Sequence, residues 1–255
     1  MRSVLLTGAT GLLGVELRER LESAGYDVTC VARNPRGRAG IIPWDLSRQP
    51  PPEALSRAWD VIVNCAADTR WSQTPQEAYR ANVVSAMAVA ALAQSQTHFV
   101  QVSTAAIIGP GSDGTSLRQT DYRNMYEWSK ARAENALRQR VDLLTIVRPP
   151  LIIGRRSDGR AARFTGLYTL LRGITASTVP AVVAERDGLF DLVPVDDVAV
   201  VVTDAMCCTP PPPLLTPVCG PDAPRVGVVL ECMCSTLNEW RAARGVPPVD
   251  VPPII

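Results

Sequence analysis

The sequence predicts an α/β protein built on a doubly wound parallel sheet, with a small C-terminal cap. Three observations predict it. Short β-branched runs alternate with helical runs through the first 150 residues. Those short runs are apolar on both faces, as strands buried in a parallel sheet must be. A glycine-rich turn links the first run to the first helix, which is where such sheets hold a ligand.

The elements follow in order. "RSVLLTG" reads as a strand, residues from about Leu12 to Ser23 as a helix, and "DVTCVAR" as a second strand. "AGIIPW" is a short third strand and "DVIVNCAA" a fourth. A long helix is expected from about Pro75 to Gln94, then "HFVQVST" as a fifth strand. A helix from about Asp121 to Arg140 and the strand "DLLTIVRPP" complete a Rossmann-type core over residues 1–150. After Pro150 the rhythm breaks into the polar, arginine-rich loop "IIGRRSDGRAARF". A helix near Thr165 to Arg172, the run "FDLVPV" and a helix from about Asp196 to Ala205 come next. "TPPPPLLTPVCGPDAP" is a proline-rich connection around one short strand, and a last helix covers about Val226 to Trp240. Proline then leaves the tail "GVPPVDVPPII" few helical options. Residues 151–255 are too few to stand alone. They read as a substrate-binding cap interleaved with the core, residues 190–207 returning to it, so that the chain is one structural unit.

Composition narrows the function. The net charge is +1, so neither a nucleic acid nor a membrane surface is an expected partner. The N-terminal run is too short and glycine-rich for an export signal or a spanning helix, and a cytoplasmic location is expected. Seven cysteines at irregular spacing form no disulfide framework, and with a single histidine they offer no metal site. They read as buried free thiols.

"TGATGLLG" sets Gly8, Gly11 and Gly14 between strand and helix. Such a turn bares backbone amides at a helix N-terminus, where a pyrophosphate binds. The spacing is GxxGxxG rather than GxGxxG. An acidic residue closing the second strand would favour NAD by accepting from its ribose hydroxyl. The chain instead has "ARNPRGR", with Arg33 at that point. A guanidinium there grips a 2′-phosphate, so NADP(H) is the expected cofactor. Arg36 and Arg38 either assist or are solvated.

Of the twenty-six basic residues one is a lysine, and it lies four positions after a tyrosine in "YEWSK". On a helix this spacing puts Lys130 on the face of Tyr126. Tyrosine ionises near pH 10, and lowering that by three units takes about 4 kcal/mol. One cation about 4 Å away at an effective dielectric near 20 supplies about that much. The expectation is a tuned proton donor. "VSTAAIIG" offers the hydroxyls of Ser103 and Thr104 at the end of the fifth strand. Asn82 is a polar residue in an apolar helical run, held there by a backbone bond or by function.

Together these residues resemble the extended short-chain dehydrogenase/reductase superfamily. The likeness rests on "TGATGLLG", "NCAA" (Asn64 to Ala67), "YEWSK" and "VRPPLIIG", in that order, and covers roughly residues 2 to 205. Within the superfamily the chain is most similar to thioester reductase-like and fatty acyl reductase-like, male sterility-type proteins. "NCAADTRW", "FVQVSTAAIIG" and "DLVPVDDVA" carry that likeness. The resemblance implies Tyr126 as proton donor, Thr104 as the hydroxyl beside it, Lys130 on the cofactor ribose and Asn82 on a relay water. It implies further cofactor contacts from Thr10, Leu12 and Leu13, from Asp45 and Leu46, from Cys65, Ala66 and Ala67, and from Pro149. Many relatives carry an aromatic residue where this chain has Ile108.

The function so implied is hydride transfer from NADPH to an aldehyde, ketone or thioester, free or carrier-bound, in secondary metabolism. A redox-neutral epimerase or dehydratase and a non-catalytic NADP-binding regulator are the alternatives. A homodimer is one expected assembly. Arg155, Arg156, Arg160 and Arg163 either meet an anionic partner, such as a phosphopantetheine arm or a carboxylated substrate, or form a solvated loop.

Overall fold

The computed structural model describes residues 1–109 and 112–255. Its centre is a seven-stranded sheet in which every neighbouring pair is parallel. The chain runs β1 (Ser3–Thr7), α1 (Leu12–Ser23), β2 (Asp27–Ala32), β3 (Ile41–Pro43), β4 (Val61–Asn64) and α2 (Pro75–Ala78). A π-helical turn (Tyr79–Val84) then leads into α3 (Ser85–Ala90) and β5 (His98–Val102). The hairpin strands β6 (Ile108–Gly109) and β7 (Ser112–Asp113) precede α4 (Met125–Arg138), β8 (Leu144–Val147) and β9 (Leu151–Ile153). Then come α5 (Leu167–Thr175), β10 (Leu192–Pro194), α6 (Val195–Cys207), β11 (Leu214–Leu215) and α7 (Val226–Ala242).

The sheet order is β11-β8-β5-β4-β1-β2-β3, the doubly wound arrangement the sequence predicts. The order reverses between β1 and β4, so the connections on either side diverge and leave a crevice at their carboxyl ends. One face of the sheet is covered by α1 and α6. Leu13, Leu17 and Leu21 recur every four residues on α1 and pack with Val195, Val198, Val202 and Met206. The other face is covered by α3 and α4, whose Ala86, Val89, Ala133 and Leu137 pack with Phe99, Trp44 and Trp59.

Four expectations need correction. The cysteines are free but not all buried: Cys30 and Cys234 are, whereas Cys207, Cys208 and Cys232 are exposed. The arginine-rich loop is not irregular from its start: Leu151–Ile153 pairs in parallel with Leu192–Pro194 as a separate two-stranded sheet. Runs of three residues are too short to show a period. The helix of the "YEWSK" segment starts at Met125, because the Asn124 side chain caps it by accepting from the Glu127 amide at 3.0 Å. The long helix before β5 is broken by the π-helical turn and ends at Ala90.

Beyond β9 a small apolar cluster forms around Ile174, Leu230 and Cys234, joined by Leu170, Val226, Val249 and Ile254. The proline-rich tail belongs to it. The Val182 amide donates to the Pro253 carbonyl at 2.9 Å and the Ile255 amide to the Val182 carbonyl at 3.0 Å. Among the described residues no helix is long and apolar enough to cross a membrane.

Candidate active site

The glycine turn fits closely against the strand ends. Gly8 has φ +68°, and a Cβ there would lie 2.8 Å from the Ala66 nitrogen. A Cβ on Gly14 would lie 2.1 Å from the Gly8 carbonyl oxygen. Neither position admits a side chain. The Gly11 amide closes the turn on Gly8 at 2.8 Å, and the Ala9 amide ties it to Val31 of β2 at 3.2 Å. α1 therefore begins with no side-chain cap and no acid in its first turn. Its leading amides, at Leu12, Leu13 and Gly14, take no side-chain acceptor from the cap position, and the helix dipole makes this end electropositive.

Below the crevice a row of buried polar side chains crosses three strands. Thr7, Asn64 and Gln101 are register partners on β1, β4 and β5. The Thr7 hydroxyl donates to the Asn64 carbonyl oxygen, and the Asn64 amide donates to Gln101 at 2.8 Å. The Gln101 amide donates to the Val102 carbonyl at 2.8 Å. The same carbonyl accepts from Lys130 Nζ at 2.7 Å. Lys130 is 2% exposed. Burial pushes its pKa down to about 8, while the charge of Glu134, one turn further on, resists the fall.

Tyr126 lies one helical turn before Lys130 and meets the Thr104 hydroxyl at the end of β5. Burial raises its pKa to about 12, and the contact with Thr104 pulls the other way. This corrects the expectation that the lysine tunes the phenol downward. Lys130 spends its nearest bond on Val102, and desolvation outweighs any other influence on Tyr126. Thr104 also accepts from the Ala106 amide at 3.2 Å, which fixes its side chain. Beside it the Ser103 hydroxyl is buried and has no hydrogen-bond partner among the described residues.

Asn82 sits in the π-helical turn. It accepts from the Asp68 amide at 2.9 Å and donates to the Asp68 carbonyl at 3.1 Å and to Ser129 Oγ at 2.8 Å. It therefore staples the segment after β4 to α4. Single-turn π segments recur at functional sites.

The remaining candidates line the same carboxyl edge. Cys65 and Ala66 follow β4 against Gly8, and burial holds the Cys65 thiol up at about 12, so it is protonated. Ala67 is exposed just beyond. Buried Thr10 offers its carbonyl to Arg163 at 2.9 Å. Buried Pro149 accepts from the Ala105 amide at 2.9 Å. Arg33 is exposed at the end of β2. Asp45 follows β3, where its carboxylate accepts from Ser47 Oγ at 3.0 Å, and Leu46 packs against the second core cluster. Sequence reading offered Ser103 beside Thr104 but missed Gln101 and Thr7, which strand register alone brings to the site.

The arginine loop divides. Arg155 pairs with Glu16 at 2.6 Å and also with Glu19, Arg160 pairs with Glu19 at 2.6 Å, and Arg156 pairs with Asp197. These three reach carboxylates of α1 and α6, an arrangement that neither of the two readings, an anionic partner or a solvated loop, anticipates.

Similar proteins were found at three levels. The chain is 26% identical over 269 aligned residues to fatty acyl-CoA reductase 1 of Gallus gallus, with 76% of this chain and 52% of that protein covered. It thus spans about half the length of that relative. Among solved structures, the terminal R domain of the myxalamid PKS-NRPS biosynthetic pathway superposes with a TM-score of 0.72 at 21% identity, covering 100% of this chain and 72% of that one. A thiolation-reductase di-domain from an archaeal non-ribosomal peptide synthetase gives 0.69 at 20%, covering 98% and 77%. The UDP-Glc/GlcNAc 4-epimerase of Campylobacter jejuni gives 0.70 at 17%, covering 100% and 86%. At these identities the structures show a shared fold. The family model described as male sterility protein, an NAD-binding domain, matches residues 49–202, more than half of the chain, and the protein belongs to that family.

Proposed function

We propose that the protein is an NADPH-dependent reductase of a carbonyl, whether aldehyde, ketone or thioester, and that carrier-bound substrates are within its reach. The observation that carries this reading is the cluster of Thr104, Tyr126 and Lys130 at the carboxyl ends of the strands, beside a turn that admits no side chain.

The residues suit a dinucleotide. The bare amides of α1 await an anion, and the Gly8 and Gly14 positions are closed to any Cβ. A buried hydroxyl without a partner, as at Ser103, costs about 1–3 kcal/mol, which a bound polar group would offset. The leading amides of α1 would hold the pyrophosphate, Arg33 the 2′-phosphate, and Lys130 the ribose. When bound, the reduced nicotinamide supplies hydride. Tyr126, with a pKa near 12, is protonated at any neutral pH and acts as the acid that protonates the developing alkoxide, a far stronger base than phenolate. Thr104 donates a hydrogen bond to the same oxygen. Lys130 uses one of its three donors on Val102 and keeps two for other acceptors.

The test is NADPH consumption over a panel of aldehydes, ketones and acyl thioesters. Tyr126→Phe is expected to lose about 10²–10⁴-fold in kcat. Thr104→Ala is expected to lose about 10²–10³-fold. Near-wild-type turnover by Tyr126→Phe would sink the assignment. Tight cofactor binding with product formed but no net consumption would point to a redox-neutral epimerase or dehydratase instead.

A further inference from the structure

Arg163 behaves unlike the other arginines of its loop. Among the described residues it pairs with no carboxylate; its Nε donates to the main-chain carbonyl of Thr10, inside the glycine turn, at 2.9 Å. The segment that leaves β9 is thereby drawn back over the start of α1. Across the gap stands the β2–β3 connection with Arg33, Arg36 and Arg38. The connection is folded tightly. Arg36 has φ +54°, its amide is held by Asn34 Oδ1 at 3.0 Å, and the Arg38 amide bonds Pro35 at 3.1 Å. Arg38 lines one hollow of about 290 Å³ together with Leu12, Glu16 and Glu19 of α1 and residues 160–162, so the two segments face each other beside the turn.

None of these four guanidiniums has a carboxylate within 4.0 Å among the described residues. Burial holds Arg163 below the usual arginine range, and the charges of Arg36, Arg38 and Arg33 press it the same way. Glu16 and Glu19, the carboxylates nearest Arg38 in the hollow, are engaged by Arg155 and Arg160, and Asp68, which feels the charge of Arg33, is engaged by Arg70. The four guanidiniums therefore still repel one another with no carboxylate in contact. A phosphate monoester, carrying about −1.5 to −2 at neutral pH, reverses that sign, and guanidinium forks match its oxygens.

We infer that Arg163 is a cap-borne specificity residue: with Arg33, Arg36 and Arg38 it completes a cradle for the phosphate monoester on the adenosine ribose. This rests on the NADPH reading above and extends it. The phosphate would then bridge the core and the loop of the cap, so that cofactor choice and placement of the 155–163 segment are one event.

Calorimetric titration of the wild type, Arg163→Gln, Arg163→Lys and Arg160→Gln with four ligands tests this. Adenosine 2′,5′-bisphosphate and NADPH carry the extra phosphate; 5′-AMP and NADH lack it. Arg163→Gln is expected to weaken the first pair about tenfold or more and the second pair less than about threefold. Arg163→Lys, which keeps the charge and loses the fork, falls between. Arg160→Gln, on the same loop but paired with Glu19, leaves the ratio unchanged. Equal weakening of both pairs by Arg163→Gln, or of neither, overturns the inference while the NADPH reading stands. If the wild type itself binds 5′-AMP as tightly as the bisphosphate, the NADPH reading fails and the inference falls with it.

Discussion

Single residues decide the electrostatics of the site. Glu134, wholly buried, grips Arg148 with two bonds of 3.0 and 2.6 Å and takes a third from Arg138 at 3.1 Å. It also supplies the field that keeps Lys130 from losing its proton more readily. Glu134→Gln is therefore expected to move the Lys130 pKa below about 8 and to destabilise the fold by about 3–5 kcal/mol, because Arg148 is left buried without its counter-charge. Titration of the lysine Nζ by NMR and chemical denaturation check the two parts separately. The lysine–tyrosine pair was legible in the sequence, since helical spacing alone brings the residues to one face. Its electrostatics were not. The nearest partner of Lys130 is a carbonyl 28 positions away, and the desolvation that governs Tyr126 comes from residues no local pattern reveals.

At the scale of elements, the glycine turn and α1 were fully legible: the helix spans Leu12–Ser23 as read, because a strand, three glycines and a four-residue leucine rhythm mark it. Gly14→Ala is expected to destroy dinucleotide binding, since its Cβ would stand 2.1 Å from the Gly8 carbonyl and force the turn open. Loss of binding in titration with the far-ultraviolet circular dichroism retained is the expected result; unchanged affinity would mean that the turn plays no such part. The π-helical turn was invisible, because one extra residue in a turn barely disturbs an apolar period. It takes the Asn82 side chain, satisfied by Asp68 and Ser129, to show why the helix departs there. The pairing of β9 with β10 was hidden for a different reason. The partners lie some forty residues apart, and each is only three residues long.

For the whole molecule, buried titratable groups make stability depend on pH on both sides of neutrality. His98 on β5 donates from Nε2 to Thr145 Oγ1 at 2.8 Å, because the Thr145 hydroxyl is itself committed to the Pro212 carbonyl at 2.6 Å. Burial first, and Arg2 second, lower its pKa from 6.5 to about 4. Between those values the unfolded chain binds the extra proton, so stability falls as pH drops from 6.5 to about 4. On the alkaline side Lys130 by itself contributes a rise in stability from about pH 8 to 10.5. Cys30, Cys65 and Tyr126, raised by burial to about 11, 12 and 12, oppose it above pH 9, where the unfolded chain loses protons that the folded one keeps. His98→Gln is expected to remove the acid window, seen as a flatter difference in denaturation midpoint between pH 4 and 6.5. An unchanged slope would place the acid sensitivity elsewhere.

The lone lysine has one more consequence. Twenty-five of the twenty-six basic residues are arginines, so every side-chain ammonium signal from this chain originates at one atom in the crevice. Isotope-labelled lysine would give a single reporter that needs no engineered probe. The buried ammonium on the Val102 carbonyl stays shielded from amine reagents in the folded state. The protein carries its own spectroscopic tag, and chemistry, rather than an experimenter, has placed it.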